Sequence, residues 1–166
     1  MEMQKQTSKS YLNSLQIMYL ALLAGQLMFA GICFFLHNSG NFEASNAELA
    51  STFKIIVPIF TLGAFIGSRF LLKSKIKVIP HTGTLSEKLI AYRVAFMLSL
   101  AVLESASLFS TVIYLLTADT IFLYITIFLM LFFVLQKPDI QKIAEMLQLS
   151  NQEKQVLEKP DSIVIE

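Results

Sequence analysis

Leu12–Leu36 reads LNSLQIMYLALLAGQLMFAGICFFL and contains no Asp, Glu, Lys or Arg. A bilayer core about 30 Å thick is crossed by around 20 predominantly apolar residues in helix, with roughly 17 to 25 as the usual range. This run meets that requirement. It is too long for a signal-peptide core and lacks a small-x-small cleavage site, so we expect it to be retained. Three further tracts follow: Ile55–Leu72 with Arg69 near its end, Leu89–Leu116 carrying Arg93 and Glu104, and the short, bulky Ile121–Leu135. The expected fold is all-α: an integral membrane four-helix bundle of two tandem antiparallel hairpins over residues 1–136. A short helical, amphipathic cytoplasmic tail is expected over 137–166.

Composition agrees. Of 166 residues, 55% are hydrophobic and 15% charged, with mean hydropathy +0.63; ordinary globular chains run at roughly 45–50% apolar and about 25% charged. The net charge of +1 gives no bulk attraction to nucleic acid. The charges are segregated, however. Lys5 and Lys9 precede the first span; Arg69, Lys73, Lys75, Lys77, Lys88 and Arg93 surround the loop between spans two and three; Lys137, Lys142, Lys154 and Lys159 follow the fourth. The opposite side has Glu43, Glu48 and Asp119, and of the 13 cations only Lys54. The positive-inside rule then puts both termini and the basic loop in the cytoplasm, in what we expect to be a bacterial cytoplasmic membrane.

The connections fit this count. Thr117-Ala118-Asp119 is a tight turn that makes spans three and four antiparallel neighbours. Thr84-Leu85-Ser86-Glu87 has the capping-box pattern, preceded by the turn residues Pro80-His81-Thr82-Gly83. Aligning Gln26 with Glu104 shows no duplication beyond chance between two apolar helices.

Helix association in lipid relies on small residues that permit close approach and on a few polar contacts. The second span offers Gly63 and Gly67, a GxxxG element, with Ala64 and Ser68 in the same spacing; the first offers Ala21 and Gly25. We expect these glycines to pack inside the bundle, with homo-oligomer contact as the alternative. The third span has Ser105, Ala106, Ser107, Ser110 and Thr111. The fourth has almost no small residues, which predicts that it lies on the lipid-facing side.

Glu104 is the residue that requires an explanation. A carboxylate at a helix centre costs about 2.5–3.5 kcal/mol on insertion scales, so it should face the interior and find a partner. Arg93, eleven residues earlier, shares its azimuth but lies about 16 Å away along the helix. It is expected to snorkel to the cytoplasmic headgroups. Glu104 is left with Gln26, Ser107, Thr111 or another hydroxyl, water, or a partner chain. Two roles follow: a packing or partner contact, or proton or cation handling in a transport cycle. The helix count, small residues and Glu104 resemble the duplicated proteolipid subunits of rotary ATPases. The carboxylate here falls on the first helix of its hairpin and the long glycine repeat is absent, so membership does not follow. Four-helix drug exporters carry their membrane Glu in the first span, where this chain has Gln26.

Cys33 is alone and reads as a small buried hydrophobe; His37 and His81 lack a carboxylate cluster and do not read as ligands. Lys73, Lys75 and Lys77 are expected to attract anionic lipids at the cytoplasmic face. In the tail, Asp139 can cap a helix with Ile140, Ile143, Met146 and Leu147 on one side, and Ser150-Asn151-Gln152-Glu153 is a second capping box before Pro160. The pair resembles a helix-turn-helix start, but its second helix is not basic and the tail has more acids than bases, so no nucleic acid is expected. A surface helix or docking segment fits better. There is no nucleophile with a base, phosphate loop or metal cluster. The expectation is a non-enzymatic accessory, assembly or interaction subunit without cofactor, bound to other membrane subunits or to itself. The alternative is a proton- or cation-coupled transport component that uses Glu104.

Overall fold

The computed structural model describes residues 5–39, 47–80 and 82–165; Glu43 and His81 lie outside them. The elements in chain order are β1 (Gln6–Thr7), α1 (Ser8–Asn38), α2 (Ala47–Lys77), α3 (Leu85–Thr117), α4 (Thr120–Val134), α5 (Ile140–Met146), α6 (Asn151–Glu158) and β2 (Ile163–Ile165). The architecture is helical, with one two-stranded antiparallel ribbon, β1–β2.

Three helices are long and apolar enough to cross a membrane: Ser8–Asn38, Glu48–Lys77 and Leu85–Thr117. Each runs past the apolar tract that predicts it, and α3 starts on its capping box. Glu87 Oε2 accepts from the Thr84 N–H at 2.9 Å, and Thr84 Oγ1 accepts from the Glu87 N–H at 3.3 Å. Pro58 lies inside α2; its missing N–H is tolerated in apolar helices of this kind, where neighbouring groups compensate. α4 has 15 residues, short of the roughly 17 that usually cross a bilayer. Length alone therefore does not make it the expected fourth span.

The chain divides into two compact units, and α1, α2 and α3 each contribute a stretch to both. One unit comprises the described residues through Leu20, Arg69–Ser99 and Lys137 onward. Here the tail is a docking segment. The Ser8 and Lys9 N–H groups of the first turn of α1 donate to the Ser162 and Pro160 carbonyls at 2.9 and 3.1 Å, and the Ser10 N–H donates to Thr7 Oγ1 at 3.3 Å. These are the donors a helix start leaves orphaned, so the tail caps α1. Ser8 Oγ also donates to the Leu157 carbonyl, Tyr11 Oη donates to the Leu89 carbonyl at 2.8 Å, and β1 pairs with β2 (Gln6 with Ile165, Thr7 with Ile163). α5 follows Asp139, whose side chain makes no cap bond; α6 has the full Ser150–Glu153 capping box.

The other unit comprises Ala21–Ser68 and Leu100–Gln136. Two buried layers hold it: Cys33, Val57, Ile113, Tyr114 and Phe122, and then Ala64, Ala106 and Leu129. Cys33 is the buried small hydrophobe its surroundings predict. The layers align α2 with α4 and reverse both against α3, as the tight turn at Ala118 (φ 58°) requires. α4, expected on the lipid-facing side, has two faces: it buries Phe122, Thr126, Leu129, Met130 and Phe133 and exposes Tyr124, Phe128 and Leu131. Small residues on one helix are matched by large ones on the next, so a helix poor in small residues fills the space that Ala64 and Ala106 leave. The uncovered helices are instead α1 and α2, with 17% and 22% of their most apolar stretch buried, against 50% for α3.

Candidate membrane-embedded polar site

Within the second unit the edge-on contact of His37 with Tyr114, ring centroids 5.5 Å apart, joins α1 to α3 near both C-terminal ends. Phe29 and Phe109, further back on the same helices, pack on the same layer. The two helices therefore run alongside in the same direction. Counting back eleven residues from His37 and ten from Tyr114, at 1.5 Å each, puts Gln26 and Glu104 about 16 and 15 Å down their axes. They share one depth.

At that depth, polar groups outnumber their partners. Gln26 is 1% exposed, and neither its amide oxygen nor its nitrogen has a hydrogen-bond partner. Ser107, one turn beyond Glu104 on α3, is also 1% exposed with an unpartnered Oγ. Glu104 is half-buried; among the described residues it has no hydrogen bond, and the two ion pairs lie elsewhere. The expected pairing of Glu104 with Gln26 or Ser107 is absent among the described residues. Buried polar groups left in this condition cost about 1–3 kcal/mol each.

The neighbouring hydroxyls are satisfied. Thr111 Oγ1 donates to the Ser107 carbonyl at 2.8 Å and lies 3.2 Å from Thr126 Oγ1. Ser110 Oγ donates to the Phe122 carbonyl at 2.7 Å, and Thr126 Oγ1 to the same carbonyl at 3.0 Å. These contacts join α3 to α4. The sequence reading missed Thr126, although the one threonine in a tract of Phe, Leu and Ile was the available signal.

Arg93 departs from expectation in a different way. Its Nη2 donates to Gln6 Oε1 at 2.8 Å, and its guanidinium stacks 4.8 Å from the Tyr11 ring centroid. An intramolecular acceptor and a cation–π face take the place of lipid headgroups, and Arg93 belongs to the first unit. Lys73, Lys75 and Lys77 are exposed on the last turns of α2, as a headgroup contact requires. The glycines are corrected outright. A Cβ added at Gly25, Gly63 or Gly67 meets nothing within 4 Å, and Ala21 is exposed. The buried face of α2 carries Ala64 and Ser68 instead.

Two ion pairs mark the ends of this framework. Asp119 caps α4 through the Ile121 N–H and meets Lys54 at 2.8 Å; the Lys54 contact and that N–H hold its carboxyl below its ordinary pKa. Lys88, 5% exposed, meets Glu153 at 2.7 Å. Burial pushes the Glu153 carboxyl up, but Lys88 and Ser150 outweigh it and hold the pKa below the ordinary value.

No family model, curated protein or solved structure matches this chain.

Proposed function

We propose that this protein is a non-enzymatic, multi-pass membrane subunit that works by packing against other membrane chains. The observation that carries the reading is the open glycine face of α2. Glycine in a helix interior costs about 1 kcal/mol relative to alanine, and a lipid-facing position gains nothing from it. A Cβ at Gly63 or Gly67 would meet nothing within 4 Å among the described residues, so we read their use as close approach by a helix from outside. Purification from native membranes in mild detergent tests this. The chain should migrate well above 18.7 kDa plus its micelle, and Gly63→Leu should shift it to the monomer position. A wild-type monomer would overturn the reading.

The topology we propose has four crossings with both termini in the cytoplasm. Parity supports it: Ser8 bonds Leu157 and β1 pairs β2, so the two chain ends share a side, whereas three crossings alone would separate them. The division of cations supplies the orientation. A cysteine at Asn38 in a C33A background should label from outside intact cells; labelling only after permeabilisation would reverse the assignment.

A second reading, a proton- or cation-coupled transport component, is favoured by the unpartnered Gln26 and Ser107 near the depth of Glu104. Reconstituted wild type should then pass protons or monovalent cations and Glu104→Gln should not; no flux in either removes this reading.

A further inference from the structure

The carboxylate lies beside a face of α3 that this chain leaves uncovered. Ala101, Ser105, Val112 and Leu116 are exposed and Leu108 is half-buried. From Ala101 through Val112 the steps are four, three and four residues, the 3.5-residue period of a helix-packing seam. In that register Ala101 and Leu108 occupy one core row and Ser105 the other. Glu104 falls on the flanking g position, from which charges reach across to a partner helix. The seam is narrowest in bulk at Ala101 and Ser105, the turn that carries the carboxylate, so a second helix comes closest there.

We infer that this seam receives a transmembrane helix of a different protein, carrying a Lys or Arg at the depth of Glu104. The inference rests on the interaction reading above and names the chemistry of one partner. Charge complementarity selects the occupant. A half-buried carboxylate in a membrane span is neutralised by a cation at equal depth or by a proton. The chain cannot supply the cation to itself or to a second copy. The first, second and fourth expected spans hold only Arg69, near an end. Arg93 is eleven residues from Glu104 and occupied by Gln6 and Tyr11, while Lys54 is paired with Asp119. Two copies meeting on this seam would bring two carboxylates together. A basic residue from another chain resolves the mismatch.

The test uses the full chain, dye-labelled, in phosphatidylcholine vesicles, with two synthetic Leu-Ala helices of about 22 residues that differ only in a central Lys or Leu. Energy transfer should show the Lys helix binding about ten-fold more tightly, which is about 1.4 kcal/mol. The preference should vanish in Glu104→Gln and survive in Glu104→Asp, which keeps the charge and controls for misfolding. Ser105→Leu should weaken both probes by filling the notch. Equal binding of the two probes to wild type overturns the proposal, as does a preference that survives Glu104→Gln. A photo-crosslinker at Ser105 that captures only a second copy of this chain overturns it too. If the native particle is larger than a monomer while the two probes bind equally, the interaction reading stands and the seam assignment falls. If the native chain is alone, the interaction reading falls first.

Discussion

The two units treat polar groups differently. In the unit that holds the tail, most of these polar groups close on one another: Lys88 on Glu153, Arg93 Nη2 on Gln6, Tyr11 on the Leu89 carbonyl, and the first N–H groups of α1 on tail carbonyls, with Arg93 Nε the buried atom left without a partner among the described residues. In the unit built from the apolar middles, Thr111, Thr126 and Ser110 close on one another, but Gln26 and Ser107 do not, and neither does Glu104. The contrast runs against cost. An orphaned polar group is most expensive where water is scarcest, and the second unit keeps more of them among the described residues.

The largest effect that could break this contrast lies in the unit that holds the tail. Glu153→Ala leaves Lys88 buried and unpaired, and should loosen the tail by about 3–5 kcal/mol, read as faster amide exchange across 140–165. The double variant Lys88→Met/Glu153→Met should recover most of the loss. Acid should act on the same contact. The folded pKa of Glu153 is lowered, so its contribution is whole above the unfolded value of about 4.3 and is lost as pH falls through the folded value. Tail exchange that is unchanged on acidification would detach Glu153 from this role.

A smaller effect of opposite sign is expected in the other unit. Gly63→Ala and Gly67→Ala meet no neighbour and should each stabilise the isolated chain by up to about 1 kcal/mol while weakening its assembly. Destabilisation of the monomer would show an internal contact after all. Thr111→Val removes the bond to Thr126 and should cost about 0.6 kcal/mol, the average for such contacts in membranes, measured by unfolding in mixed micelles. Least of all, Asp119→Asn at the partly exposed Lys54 pair should change stability by under about 1 kcal/mol, and salt should have little further effect on the variant.

Much of the helical framework was legible because it rests on local chemistry. Leu12–Leu36 and Leu89–Leu116 mark helices by apolar length, and Thr84–Glu87 and Ser150–Glu153 form the boxes their spacing implies. What was not legible depends on which helix faces which. Gly63 and Gly67 have the spacing of a packing motif, but spacing alone does not say whether the neighbour belongs to the same chain. Arg93 looked like a snorkelling residue because Gln6 and Tyr11, in the first dozen residues, carry no mark that they fold over α3. The β-branched Ile163-Val164-Ile165 could have announced a strand, but its partner at Gln6–Thr7 is a contact no local pattern encodes. Glu104 stood out in the sequence as a group in need of a partner; that it has no hydrogen bond or ion pair among the described residues required the structure.

The bond from Ser8 to Leu157 spans 149 residues. At synthesis rates of about 5–20 residues per second, the first turn of α1 waits roughly eight to thirty seconds for the carbonyls that cap it. During that interval Gln6, Ser8 and Lys9 are an unfinished end, and the pairing of β1 with β2 is a late event in the life of each molecule. A ribosome that stops before residue 150 leaves every one of those donors exposed. The ribbon therefore forms only after all the helices from α1 to α6 have been synthesised.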